Sequence, residues 1–166
     1  MALRNIVTVG DSVLTKVSRP VTKFDRRLHQ LLDDMTETLE DAGGVGLAAP
    51  QVGVLRRAVV VDTGEDGILE LVNPEIIAQS GEQTGLEGCL SVPGEYGIVT
   101  RPNEVTVRAQ DRDGNWFEAE GEGLIARCFC HELAHLEGQL YTAVAERMLT
   151  KEELQAMAEQ QEEETP

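Results

Sequence analysis

The chain has 166 residues, 41% hydrophobic and 27% charged, and its 30 acidic side chains outnumber 14 basic ones to give a net charge of −16. This length and composition predict one globular domain over residues 1–166, with a core that needs no disulfide bonds. The acidic balance argues against general binding to nucleic acid or anionic membranes, and the lack of a long apolar run or signal-like N-terminus predicts a cytoplasmic protein.

The first predicted element is a long helix that follows an irregular segment over residues 1–20. We expect it to begin near Thr22, which would serve as the N-cap, and to end at the glycine pair Gly43-Gly44. Apolar residues recur between these limits at helical spacing and predict one buried face. His29 lies in the charged part of this helix, and we expect its side chain to be solvated.

The middle of the chain is predicted to form β structure. Four short runs are β-branched or alternating in polarity: 58–61, 69–72, 105–108 and 116–119. A turn-like segment at 111–115 separates the last two and predicts a hairpin. Three prolines interrupt the region, and we expect irregular links or edge strands at Pro74, Pro93 and Pro102.

A second long helix is predicted to start between Gly123 and Ala126, and Thr150 with Glu153 forms a capping box for a short last helix. Residues 151–166 then form an acidic C-terminal helix or tail. The predicted fold class is therefore α+β, with short antiparallel β-sheets packed around the second helix.

That second helix carries the motif His131-Glu132-Leu133-Ala134-His135. Residues four apart share one helical face, so His131 and His135 can direct two imidazoles at one metal ion. Glu132 adds a carboxylate that can move protons for an activated water. The alternative interpretation is a helix whose histidines only pack or form hydrogen bonds.

A catalytic site of this kind needs a third protein ligand. A histidine six residues after His135 would complete one protease pattern, but that position is Tyr141, which largely excludes it. A glutamate on the last helix, Glu152 or Glu153, is a second option, although solvation is the simpler account of both.

A cysteine is the third option, because a thiolate is a strong ligand for such metals. Cys89 lies beside Gly88, whose backbone can approach a metal or substrate closely. Cys130 would point about 100° away from the neighbouring histidine on the helix. Cys128 would add a fourth ligand and close the site, so we expect both to be core cysteines.

Three segments in this order resemble the peptide deformylase family: residues 44–51 (GVGLAAPQ), 87–91 (EGCLS) and 131–135 (HELAH). The similarity extends to about residue 148. It implies an enzyme that removes the N-formyl group from nascent polypeptides that start with formyl-methionine, and releases formate.

The resemblance also implies residue roles. The metal ligands would be Cys89, His131 and His135, and Glu132 would act as the general base and acid. The Gln51 side-chain amide and the backbone N–H of Leu90 would stabilise negative charge on the formyl oxygen.

The resemblance implies a substrate site as well. Val45, Gly46 and Leu47 would pair with the extended peptide by β-augmentation. Val45 and Leu124 would line an apolar pocket for the methionine side chain.

Ferrous iron is implied as the physiological metal, with zinc, nickel or cobalt as substitutes, although the ligand types do not separate these ions. We expect a monomer that acts near ribosomes on nascent peptides, with no RNA contact from the acidic C-terminus. Two rival hypotheses are a broader metallopeptidase and a catalytically weak binding protein.

The chain departs from the family pattern at Ala134, where aspartate is usual. We expect the metal to bind all the same, and Arg101, a candidate partner of that aspartate, to be unpaired or paired elsewhere. Activity could fall about ten- to a hundredfold if support of the ligands is lost.

Overall fold

The structure, a computed structural model, describes residues 2–164, so residues 165 and 166 of the predicted acidic tail lie outside the described residues. The described residues include three α-helices: α1 (Arg26–Ala42), α2 (Leu124–Leu136) and α3 (Lys151–Glu164). Eight strands accompany them: β1 (Gly46–Ala48), β2 (Ala58–Asp62), β3 (Ile68–Ser80), β4 (Gln83–Cys89), β5 (Val92–Arg101), β6 (Glu104–Gln110), β7 (Trp116–Glu122) and β8 (Arg147–Met148). The predicted single-domain α+β class with antiparallel sheets is confirmed.

Helix α1 begins later than predicted. Asp25, not Thr22, is its N-cap, because the Asp25 carboxylate accepts the backbone N–H of Leu28 and satisfies one of the free donors of the first turn. The predicted end is right, since Gly43 adopts the left-handed conformation with φ 69°.

His29 is not simply solvated, contrary to our expectation. Its Nε2 atom lies 2.8 Å from the carbonyl oxygen of Arg112 and 3.5 Å from Asp113 Oδ1. The turn between β6 and β7 folds against α1, and this tertiary contact could not be read from the local charge pattern.

Five strands form one antiparallel sheet in the order β1-β2-β3-β6-β7. Strand β2 lies inside it, with Val59 and Val61 in the core beneath α2, and Ala58 and Val60 in the core beneath α1. A strand covered on both faces is apolar throughout, which explains why β2 is a continuous apolar run. The hairpin predicted at 111–115 joins β6 to β7 as expected.

A second sheet, ordered β4-β5-β8, was not predicted from the sequence. It is built mainly from the β4–β5 hairpin, which pairs Gln83 with Arg101 at one end and Cys89 with Val92 at the other. Pro93 therefore lies inside a strand, beside the hairpin tip, and Pro74 lies inside β3 at a register shift, where a ladder hydrogen bond is already lost.

Helix α2 occupies the centre of the molecule and buries its long apolar face against the five-stranded sheet. Helix α3 lies at the periphery, and both predicted capping hydrogen bonds between Thr150 and Glu153 are present. This helix continues to Glu164 and is longer than the short helix we expected. None of the described helices combines the length and apolar character needed to cross a bilayer.

Candidate metal centre

The two histidines of the motif project from α2 into the interior. His131 and His135 have 8% and 1% of their surface exposed, and their ring centroids are 5.0 Å apart. Tyr141, which follows α2, stacks on His131 with centroids 5.8 Å apart and limits its movement. The helical spacing therefore brings both imidazoles to one place, as the pattern predicts.

Cys89 reaches the same place from the end of β4. The potential ligand atoms of Cys89, His131 and His135 all lie within 4.8 Å of one another, and Cys89 Sγ is 3.4 Å from His135 Nε2. Among the described residues this is the one group of three or more such side chains close enough to hold an ion.

The other candidate ligands lie elsewhere. Glu153 caps α3 and pairs with Arg147, and Glu152 is exposed on the same helix. Cys128 and Cys130 are buried on α2 and do not join the cluster, so they are core cysteines as expected.

Glu87 is a part of the site that the sequence analysis missed. Its carboxylate accepts a 2.6 Å hydrogen bond from His131 Nδ1 and is held by Arg101 at 2.7 Å and by Arg127 at 2.8 Å. Because a carboxylate only accepts, His131 Nδ1 carries a proton and its Nε2 is the atom free to face the cluster. Glu87 precedes Cys89 by two residues in the segment 87–91, and this proximity was the signal available from the sequence.

The electrostatics around the cluster favour a cation. Burial alone would lower the pKa of His131, but the charge of Glu132 and hydrogen bonds with Cys89 and Glu87 raise it to about 10. Burial alone would raise the pKa of Glu87, but hydrogen bonds from His131 and Arg101 lower it to about 2. Burial and repulsion from His131 lower the pKa of His135 to about 3, which keeps its ring neutral, so that one of its two ring nitrogens carries a lone pair.

Glu132 lies beside the cluster with 2% of its surface exposed. Its Oε1 atom accepts no hydrogen bond within the described part of the chain, and it lies 3.8 Å from Nε2 of the neutral His135 ring. Burial raises the pKa of Glu132 to about 7, helped by repulsion from Glu87. A carboxylate with a pKa near neutrality is suited to taking up and releasing a proton.

Gln51 is buried, not solvated, and its side-chain amide points toward the cluster. Its Oε1 accepts the backbone N–H of Ala48, which fixes the amide. Its Nε2 then faces Cys89 Sγ at 3.5 Å and Ser91 Oγ at 3.1 Å. Leu90 lies between these two residues, directly after Cys89, and its half-buried side chain packs against the core beneath α1.

The residues predicted to bind substrate lie along β1 and at the start of α2. Gly46 and Leu47 belong to β1, which pairs with β2 on one side and is the edge of its sheet. Leu47 is fully buried, so only its backbone is available to a ligand. Val45 and Leu124 are exposed, at 37% and 61%, and Leu124 precedes His131 by two helical turns and so lies on the same face.

Ala134 leaves Arg101 paired elsewhere, one of the two outcomes we expected. Arg101 makes its ion pair with Glu87. Ala134 itself lines a cavity of about 540 Å³ together with Arg101 and Cys130, on a different face of α2 from the histidines.

The residues present fit a divalent metal ion. One thiol and two imidazoles converge, and the carboxylates of Glu87 and Glu132 favour positive charge there. The buried, unpartnered Glu132 Oε1 also indicates that the site holds something more than protein atoms. A set of one Cys and two His is that of an open site with a position left for water or substrate.

Comparison with known proteins gives a consistent result. The sequence model of the family described as polypeptide deformylase matches residues 3–151. A peptide deformylase of Caldicellulosiruptor bescii is 56% identical over 155 residues, which cover 93% of each chain. A crystal structure of a peptide deformylase from Legionella pneumophila matches with a TM-score of 0.83 at 42% identity and covers 96% of this chain and 97% of the other. The Ehrlichia chaffeensis peptide deformylase in complex with actinonin matches with a TM-score of 0.84 at 34% identity and covers 99% of each chain.

Proposed function

The chain belongs to the polypeptide deformylase family, and we infer that it is a metal-dependent hydrolase that removes the formyl group from the N-terminal methionine of newly synthesised polypeptides. The observation that carries this inference is the convergence of Cys89, His131 and His135 beside the buried carboxylate of Glu132. The products are formate and a free α-amine. We propose that the catalytic unit comprises the whole chain, with the acidic segment 151–166 as an accessory part.

We propose that Cys89, His131 and His135 hold the metal, and that Glu87 orients His131 for this purpose. A divalent ion held there would act as a Lewis acid, polarising the formyl carbonyl and lowering the pKa of a water molecule. Ferrous iron is our proposal for the physiological ion, and zinc, nickel or cobalt are expected to occupy the same ligands in preparations.

Glu132 is proposed to move the proton. Its unpartnered Oε1 accepts a proton from the water that attacks the formyl carbon, and the same carboxyl group then delivers it to the departing amine nitrogen. The Gln51 Nε2 amide and the Leu90 backbone N–H are proposed to donate to the formyl oxygen as it becomes negative. The fixed orientation of the Gln51 amide supports this role, because its other end is already bound to Ala48.

The edge of β1 is proposed to align the substrate. The backbones of Val45, Gly46 and Leu47 would pair with the extended peptide, and Val45 and Leu124 would contact the methionine side chain. The exposed apolar side chains of Val45 and Leu124 support this arrangement. An enzyme with this substrate acts where proteins are made, so we propose a cytoplasmic monomer that works near ribosomes.

Product analysis tests this function against the metallopeptidase alternative. Metal-loaded protein is expected to convert formyl-Met-Ala-Ser into Met-Ala-Ser and formate, which mass spectrometry and a formate assay detect. Longer unformylated peptides are expected to remain intact. Cleavage of internal peptide bonds without formate release would contradict the proposal and favour the broader peptidase.

Gly46→Ala is expected to lower the rate of formate release by about tenfold to a hundredfold, because a small displacement of a catalytic group is costly. A Cβ atom at Gly46 would lie 2.6 Å from Cys128 Sγ and 2.8 Å from Glu132 Oε2, so the catalytic carboxylate would have to move. Bound metal should be unchanged. The matched control is Gly85→Ala, whose nearest neighbour is Arg127 Nη2 at 3.6 Å, an ordinary contact. Equal activity of the two variants would contradict this account.

Truncation after Thr150 is expected to leave both formate release and ribosome association unchanged. Glu153 pairs with Arg147 at the surface, and the six glutamates among residues 151–166 oppose one lysine, so RNA phosphates repel this segment. Steady-state kinetics and co-sedimentation with ribosomes test the prediction. Weaker ribosome association of the truncated protein would show that the segment contributes to docking.

A further inference from the structure

The negative charge of the chain is distributed unevenly. Residues 1–57 carry eight basic and seven acidic side chains, whereas residues 58–166 carry six basic and 23 acidic ones. The net charge of −16 therefore conceals a nearly neutral N-terminal third that contains more than half of all the cations.

The fold gathers several of these cations around one groove. A cavity of about 590 Å³ is lined by Arg19, Lys23, Arg27 and Arg56. An adjoining cavity of about 410 Å³ shares Arg27 and Arg56 and adds Arg4. We call these five residues and the two cavities between them the basic groove.

Most of the cations in the basic groove form no ion pair within the part of the chain that the structure describes. Arg19, Lys23 and Arg27 are exposed, and among the described residues these three and Arg56 form no ion pair. Arg4 differs, since it binds Asp34 at 3.0 Å. Four cations gathered around one carboxylate, that of Asp25, repel one another, and an anion in the groove would offset that repulsion.

One acidic residue, Asp25, lines the basic groove, and its single negative charge leaves the four unpaired cations in excess. Its carboxylate accepts the backbone N–H of Leu28 as the N-cap of α1, and its pKa is lowered chiefly by that hydrogen bond and also by the charge of Arg56. The lining includes no aromatic side chain on which a nucleobase could stack. The groove thus offers charge and open space but no means of reading bases.

We propose that the basic groove binds the phosphate backbone of RNA without regard to sequence. Consecutive phosphates match several unpaired cations better than a single small anion does, because each cation then neutralises its own phosphate and releases a counterion. The acidic remainder of the molecule is repelled by the same RNA and orients the groove toward it. The choice of RNA over another polyanion rests on the proposed function, since an enzyme acting on nascent chains meets the RNA of the ribosome.

The test compares two double variants that remove equal charge. Lys23→Gln/Arg27→Gln removes two cations from the basic groove. Lys16→Gln/Arg26→Gln removes two exposed cations outside it, which form no ion pair with any residue of the described range 2–164. Affinity for purified bacterial ribosomes is measured over a range of salt concentrations with the full-length, metal-loaded protein. Formate release from soluble formyl-Met-Ala-Ser is measured in parallel and should be unaltered in both variants.

The groove variant is expected to bind ribosomes about tenfold more weakly, and the slope of log affinity against log salt should fall by about 1.4 to 1.8, whereas the control should match the wild type. Equal weakening in both variants, or none in either, would overturn the proposal. Displacement by polyglutamate as effective as by RNA would assign the groove to an acidic protein instead. Displacement by inorganic phosphate at the same phosphate concentration would assign it to a small anion. Ribosome binding by a protein that releases no formate would contradict the proposed function but not the groove.

Discussion

Replacing Glu132 with glutamine is expected to lower formate release by about a hundredfold to ten-thousandfold while the metal stays bound. Glutamine has the size and shape of glutamate, so it preserves the packing against Gly46 and Cys128, but its amide cannot take a proton from water. The Glu132 carboxylate is 2% exposed, and no other carboxylate of the described residues joins the ligand cluster to replace it.

Metal content must be measured beside activity to separate this effect from loss of the ion. Glu122→Gln provides the control for charge, because Glu122 is exposed at the end of β7 and forms no ion pair within the described residues. Wild-type activity in Glu132→Gln would remove Glu132 from the mechanism. Lost activity accompanied by lost metal would mean that Glu132 supports the ion and not the proton transfer.

Glu87→Gln is expected to destabilise the protein by about 3–5 kcal/mol and to weaken metal binding about ten- to a hundredfold. The carboxylate is 4% exposed and neutralises Arg101 and Arg127 while accepting the proton of His131 Nδ1. Glutamine can still accept from His131, but both guanidinium groups, which are at most 10% exposed, are left without a negative partner. The melting temperature should fall by roughly 10 °C.

Glu153→Gln is the matched control, because it removes an equally direct arginine–glutamate pair at the surface. The Arg147–Glu153 pair has 56% and 38% of its side chains exposed, so solvent screens it and little change in stability is expected. Thermal unfolding and competition with a metal chelator measure the two effects. Equal stability of the two variants would show that burial of the ion pairs of Glu87 does not determine how much they contribute to the free energy of unfolding.

The sequence predicted α2 and its motif well, because residues four apart on a helix must share a face. Cys89 is different, because spacing alone left several candidates for the third metal ligand. The family resemblance selected Cys89 among them. Glu87 was overlooked because its partners, Arg101 and Arg127, are separated from it by 14 and 40 residues. Only the packing of β4 and β5 against α2 brings these three side chains together.

The second sheet was missed because β4 contains residues of low strand propensity, which allow close contact with the neighbouring strand. Strand β4 contains Gly85 and Gly88, which weaken a strand by the usual rules. A Cβ atom at Gly88 would lie 2.6 Å from the Tyr96 ring on the neighbouring strand. Gly88 lowers the predicted strand propensity of this segment, and it also allows β4 and β5 to pair closely enough to place Cys89 in the cluster.

The basic groove was also beyond sequence reasoning. Its cations are spread from Arg4 to Arg56, and their proximity depends on tertiary contacts such as the bridge between Arg19 and Arg56. Net charge is a sum over the whole chain and carries no information about where the charges lie. On that basis alone the sequence argued against RNA binding.

The most direct test of the proposed metal chemistry is a titration of metal-free protein with ferrous iron under anaerobic conditions, with bound iron and formate release from formyl-Met-Ala-Ser measured in the same samples. Formate release should rise in proportion to bound iron and reach its maximum at one ion per chain. Cys89→Ala should bind iron weakly and stay inactive over the same range. Full activity before any iron is bound, or iron-saturated wild-type protein that releases no formate, would contradict the account.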